Sequence, residues 1–184
     1  MEEPRTTMSI DLMADLAEHE RNAVAELRDA VYPPAEEADW SGADVEWSPA
    51  RWRVGIWSGD GELATHVGLL LRAGTLDGKD VTIAGVGGVK THPRHRRFGH
   101  AQRALRAAGE FLRARGDVDF GLLVCEPPLL GYYSGLGWRE FTGRLLVTQY
   151  GEPTVFTASP HVMTLPVLGP APADGVIDLG GPPW

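Results

Sequence analysis

The chain has 184 residues, 25 Asp and Glu against 17 Lys and Arg, a formal net charge of −8 and one cysteine. That length fits one domain (1–184) with a substantial core; the acidic balance disfavours nucleic acid as a partner, and a lone Cys125 excludes an internal disulfide and a cysteine-rich zinc site. No apolar run reaches membrane-spanning length and no charged-then-apolar segment opens the chain, so a cytoplasmic protein without a membrane partner is expected.

Residues 1–6 read as frayed and 9–12 as a short strand. Residues 17–32 read as a helix with Ala23, Leu27 and Val31 on one face, stopped by Pro33-Pro34. An acidic, Trp-containing loop covers 35–49. Residues 51–58 alternate as a strand through Trp52, Val54 and Ile56; Gly59-Asp60-Gly61 turns the chain, and 62–71 returns. Asp77-Gly78 marks another turn. Residues 81–91 form a long strand whose Gly85, Gly87 and Gly88 predict a bulge or a close backbone approach.

Residues 100–115 form a helix with Ala101, Ala104, Leu105, Ala108, Phe111 and Leu112 along its buried side, capped by Gly116. The apolar run 120–125 is a central strand. Pro127-Pro128 opens a loop and 129–134 makes a short helix. Residues 139–148 and 155–165 read as a closing antiparallel pair. The tail, 166–184, is rich in Pro and Gly and reads as irregular; Val176-Ile177 and Trp184 imply that it packs down. Strands that follow one another directly favour hairpins, whereas the strand–helix–strand through 81–125 needs a parallel crossover. The expected fold is α/β, a mixed, mostly antiparallel sheet with helices on both faces.

Charge is unevenly spread. Residues 1–62 hold 15 Asp and Glu against 5 Lys and Arg, whereas 90–115 hold 8 Lys and Arg and one Glu. The basic stretch contains the most informative local pattern: a β-branched, Gly-rich strand ends at His92-Pro93, a basic loop runs through Arg94, His95, Arg96 and Arg97, and a helix begins near His100. A helix N-terminus offers free N–H groups and the positive end of the macrodipole. Gly99 and Ala101 keep side chains away from the point of approach, so a diphosphate-bearing cofactor is the natural occupant. His92, His95 and His100 read as cofactor-side charge rather than a metal centre, since no carboxylate is interleaved among them in sequence, and no metal is expected.

Arg96-x-x-Gly99-x-Ala101, after a strand ending Val-x-x-His-Pro, resembles the acetyl-CoA loop of the GNAT acyltransferase superfamily, whose pattern is Gln/Arg-x-x-Gly-x-Gly/Ala. Tyr133-Ser134-Gly135-Leu136-Gly137-Trp138 is similar to that family's Tyr-x-x-x-Gly-Phe/Trp element. The resemblance implies that Val89, Lys90 and Thr91 pair with the pantetheine arm of acetyl-CoA as an added strand. It implies that Arg96, Arg97, Phe98, Gly99, His100 and Ala101 hold the pyrophosphate, and that the cofactor strands splay around the thioester. It makes Tyr133 the acid for the leaving thiolate. Cys125, in an apolar strand, reads as a small hydrophobe, not a nucleophile.

Within the superfamily the chain most resembles the aminoglycoside 2'-N-acetyltransferases, through Ala38-Asp39-Trp40, Gly55-Ile56-Trp57, Glu62-Leu63-Ala64-Thr65-His66 and the final Trp184. That likeness implies a small-molecule amine as acceptor, bound by Asp39, Trp40, Gly87 and the Trp184 carboxylate. The chain departs from the group at Gly87, where the group carries a glutamate base, and at Ala158-Ser159-Pro160-His161, where it carries an acidic cluster. Glu126, Glu46 and Asp39 are the substitute bases; Glu126 ends the central strand. The tail 174–184 and the strand 64–70 also resemble the rhizobial nodulation N-acyltransferases, which would mean a longer acyl donor on an amino-sugar. A non-catalytic acyl-CoA-binding protein of the same fold is the reading that Gly87 itself favours. The resemblance also allows a homodimer.

Overall fold

The computed structural model describes residues 5–33 and 42–184. Expectations for Asp39 and Trp40 therefore lie outside the described residues. Among the described residues the order is β1 (Thr6–Leu12), α1 (Glu18–Val31), β2 (Trp52–Ser58), β3 (Leu63–Leu76), β4 (Lys79–Thr91), α2 (His100–Arg115), β5 (Phe120–Cys125), α3 (Leu130–Ser134), β6 (Arg139–Phe141), β7 (Arg144–Gln149), β8 (Glu152–Val155), β9 (His161–Pro166) and β10 (Val176–Asp178). No helix among them is long and apolar enough to cross a membrane.

One mixed sheet runs β6-β9-β5-β4-β3-β10-β7-β8, with β2 also pairing β3 and β1 pairing β2. The β3–β4 hairpin is longer than the pattern predicts, because Asp77 (φ 50°) and Gly78 (φ 77°) make a tight left-handed turn that lets Leu76 pair with Lys79. Two consecutive positive φ values match the right-handed twist of the strands they join.

The expected pairing of 139–148 with 155–165 holds only in its first part, where β6 pairs β9 antiparallel. The chain then leaves: at Gly143 an added Cβ would stand 2.1 Å from the Gly175 carbonyl oxygen. That close approach lets Arg144 N–H donate to Gly175 O (2.8 Å), and β7 pairs β10 and β8 instead of β9. The tail is thus a strand, not irregular throughout, with Ile177 and Leu179 fully buried.

Helices cover both faces. Val54, Ile56, Val67, Leu69 and Val86 pack in one core with Ala104, Leu105 and Ala108 of α2. Arg53, one residue out of phase, faces the opposite way, as strand alternation requires. It is wholly buried and pairs with Glu20 of α1 (2.5 Å) and Asp11 (3.2 Å). Truncating either carboxylate would leave a buried guanidinium short of a partner, which is far more costly than the loss of a surface pair. On this second face β3 and β4 carry His66, Gly68, Gly85 and Gly87.

Candidate functional site

The site starts where two neighbouring strands stop pairing. β4 and β5 run parallel, but their register covers only Ile83–Phe120, Ala84–Gly121 and Gly85–Leu122. Beyond that, Val86 to Thr91 and Leu123 to Cys125 diverge. β4 stays attached to β3, where the register skips from His66–Lys90 to Gly68–Gly87. Gly88 and Val89 therefore drop out of the ladder, which is the bulge that the three glycines predict; Gly88 has φ 56°.

The loop that leaves β4 is shaped for an anion. After the one-turn 3-10 helix Pro93–His95, Arg97 (φ 71°) and Gly99 (φ 75°) both adopt the left-handed region, and Gly99 caps α2. Such alternation curls successive N–H groups inward. The N–H groups of the first α2 turn follow. A Cβ on Gly99 would meet nothing within 4 Å, so the approach to that turn is open. Arg96, Arg97, Phe98 and Gly99 are exposed, Val89, Lys90, Thr91 and Ala101 half-buried, and His100 buried. Phe98 stacks on the His100 ring at 5.9 Å. Open N–H groups, exposed arginines and a divergent strand pair fit a diphosphate with an extended arm.

Trp184 fills the point of divergence. Its indole N–H donates to Leu122 O (3.0 Å), at the last β5 position paired with β4. Its ring lies flat on Gly85, where a Cβ would come within 2.1 Å of ring carbons, and Arg72 stands 5.4 Å above the ring. The Trp184 main chain covers Gly87: a Cβ there would be 2.9 Å from its carbonyl carbon and 3.1 Å from its oxygen. The missing side chain at position 87 is thus the space that Trp184 occupies. The tail is clasped in place by Ser48 N–H on Pro183 O (2.6 Å) and by Arg72 on Pro182 O.

Tyr133, on the short helix α3 that follows β5, is 6% exposed. Its ring sits 5.2 Å from Tyr132 and 6.3 Å from Trp138, so the Tyr-x-x-x-Gly-Trp element is a packed aromatic unit. Burial, then the neighbouring Tyr132, Cys125 and Tyr32, push its phenol well above the ordinary range. Cys125 is pushed up to about 11 by burial, then by Glu126 and Glu140, so it is a thiol and a poor nucleophile. Glu126 is exposed at the end of β5, at the start of the one-turn helix Pro127–Leu129. Glu46 is engaged elsewhere, accepting from Tyr150 N–H (2.8 Å) in the β7–β8 turn.

Two features escape sequence reasoning. Among the histidines the structure does bring in a carboxylate: Glu62, just before β3, meets His95 Nε2 (2.6 Å) and Arg94 (2.5 Å) and lies 3.6 Å from His92. Burial opposes its ionisation, but the hydrogen bonds from His95 and Arg94 outweigh it and hold Glu62 below the usual carboxylate range. The cluster braces the loop after β4 against β3. The second is His66, only 5% exposed, whose Nδ1 lies 2.9 Å from Gly88 O. Lys90 Nζ approaches the same oxygen at 3.4 Å. A more open cleft of about 580 Å³ lies at the β1 edge, lined by Asp11, Asp15, Glu20 and Trp52, apart from these groups.

Residues 13–141 match the family described as "Acetyltransferase (GNAT) domain". No curated protein matches the chain by sequence. Among solved structures it is similar to the Escherichia coli GNAT family N-acetyltransferase YhbS in complex with CoA (TM-score 0.63, 14% identity, 96% of this chain and 91% of that one). It is similar to Escherichia coli ElaA (TM-score 0.62, 15% identity, 88% and 99%), and to an acyl-CoA N-acyltransferase from Pseudomonas aeruginosa (TM-score 0.58, 18% identity, 88% and 99%). It spans only 33% of the longer Kribbella flavida N-acetyltransferase, to which it is 20% identical with a TM-score of 0.53 over 73% of this chain.

Proposed function

The chain belongs to the GNAT acetyltransferase family, and from that premise we propose that it moves an acetyl group from acetyl-CoA to a primary amine of an aminoglycoside-like or amino-sugar molecule, by direct attack in a ternary complex. The observation that carries this reading is the parting of β4 and β5 after Gly85 and Leu122. Past the parting, β4 leads into the anion-shaped loop at 96–101, and β5 leads to α3 with buried Tyr133.

In this reading N–H groups at 97–101 hold the pyrophosphate and Val89 to Thr91 align the pantetheine arm. The amine nitrogen attacks the thioester carbonyl carbon, the C–S bond breaks, and the ammonium proton leaves to a base or to water. Tyr133 holds its proton throughout, because its phenol is pushed far above a thiol's pKa of about 8.5. Its role is to donate a hydrogen bond to the thiolate as it forms, with the proton of net transfer coming from the amine side. Trp184 favours a short acyl group, since its indole on Gly85 closes the floor of the opening against a long chain.

The acceptor side is proposed as Asp39, Trp40, Gly87 and Trp184, whose main-chain oxygen over Gly87 accepts from the substrate ammonium. Glu126 is the side-chain base in this proposal. A cytoplasmic location, a homodimer and no nucleic-acid partner complete it. The test is thiol release from acetyl-CoA with a panel of aminoglycosides, glucosamine and peptides. Turnover with an amino-sugar is the expected result; turnover of peptides alone would overturn the acceptor, and CoA binding without turnover of any amine would favour a non-catalytic binder.

A further inference from the structure

His66 lies outside every role given so far, yet it is a nearly inaccessible polar side chain next to the bulge that the thioester must pass. It projects from β3 on the face that carries Gly68, Gly85 and Gly87. Its Cε1 would stand 3.5 Å from a Cβ at Gly68 and 3.7 Å from one at Gly88, so the ring is seated against glycines. A carbonyl oxygen only accepts, so the 2.9 Å contact to Gly88 O requires a proton on Nδ1. Burial, ahead of the repulsion from Lys90 and Arg53, pushes His66 down to about 4. The imidazole is therefore neutral, with Nδ1–H committed to Gly88 and a bare Nε2.

Gly88 is the residue that the β3–β4 ladder skips. Its carbonyl would otherwise be a loose acceptor in a bulge. Two donors converge on it instead, His66 Nδ1 and Lys90 Nζ (3.4 Å). In a planar trans amide the N–H points opposite to the C=O. Fixing Gly88 O toward His66 therefore turns the Val89 N–H away from the His66 ring, at a position that has no ladder partner on β3 or on β5. Donation to the oxygen of an amide also strengthens its N–H as a donor.

We propose that His66 is a positioning residue for acyl transfer: by clasping Gly88 O it orients and polarises the Gly88–Val89 amide, whose N–H then donates to the thioester carbonyl oxygen. The proposal rests on acetyl-CoA binding in the β4–β5 opening. It assigns His66 no proton transfer. A preorganised N–H is worth most where charge develops, on the oxygen of the tetrahedral species.

The test is isotope-edited infrared spectroscopy of [1-13C]acetyl-CoA bound to the full chain, read beside CoA affinity and thermal stability. His66→Asn keeps an N–H near the Nδ1 position, whereas His66→Gln and His66→Leu do not. The bound carbonyl stretch is expected to fall below its value in water for wild type and His66→Asn, and to return toward the free value in His66→Gln and His66→Leu, with CoA affinity held within about threefold and turnover lowered about tenfold. An equal carbonyl frequency in wild type and folded His66→Gln overturns the proposal, as does a His66→Asn that behaves like His66→Leu. Should His66→Leu fail to fold, the Asn and Gln pair carries the comparison alone. Failure of wild type to bind acetyl-CoA is a separate outcome: it overturns the cofactor reading, and this proposal with it.

Discussion

The two sides of β4 are built in different ways. Toward α2 and the loop at 96–101 the site is made of backbone: positive-φ residues, a helix N-terminus and unpaired strand positions. Toward α1 it is made of side chains brought from far along the sequence, with Trp184 lying on Gly85 and Gly87 and His66 clasping Gly88. Backbone sites tolerate changes of surrounding side chain and break on a change of local conformation. Side-chain sites depend on volume and on single hydrogen bonds. The experiments below attack each side where its construction makes it weakest.

The largest expected effect lies on the α1 side and follows pH. His66 titrates near its ordinary 6.5 when unfolded and at about 4 when folded, so between those values the unfolded chain binds more protons. Stability from this group is present above about pH 6.5 and is lost as pH falls toward 4, by on the order of 3 kcal/mol. Urea denaturation of wild type and His66→Asn across that window should show the difference between them shrinking as pH falls. A parallel pair of curves would contradict it.

Tyr133→Phe comes next. Removing the hydroxyl should lower turnover about 100-fold while CoA affinity by calorimetry changes little. On the α1 side again, Gly85→Val forces the indole of Trp184 off β4 and should cost about 2 kcal/mol of stability. Trp184→Ala removes the obstacle, so the double variant should be far less destabilised than the sum of the two singles. Additive losses would mean that Trp184 does not occupy Gly85. The smallest effect tests the backbone side: Gly99→Ala, at φ 75°, should weaken CoA binding by about 1 kcal/mol through strain in the cap alone.

The same contrast explains what could be read from the sequence. The α2 and β5 boundaries, the Gly116 cap and the bulge in β4 were legible because each is set by a few adjacent residues. So was the anion-shaped loop, whose conformation depends on Gly99 and its neighbours. The α1 side was not. Gly87, set against the glutamate of the aminoglycoside group that the sequence resembles, reads as a loss, whereas in the fold it is the space that Trp184 fills. A signal existed in Gly85 and Gly87, two residues apart on one strand face, which implies that something bulky lies there. Nothing local says that the bulky group is 97 residues further on. The bracing of His95 and Arg94 by Glu62, and the departure of β7 to pair with β10, are likewise contacts between distant segments.

The central claim is that the thioester lies in the β4–β5 opening with both sides of β4 in use, and a crystal structure with CoA tests it most directly. The pyrophosphate should lie on the N–H groups of 97–101, the pantetheine along Val89 to Thr91, and the sulfur beside the Tyr133 hydroxyl, with Trp184 still seated on Gly85. CoA bound elsewhere, or an opening closed by renewed pairing of β4 with β5, would contradict the account.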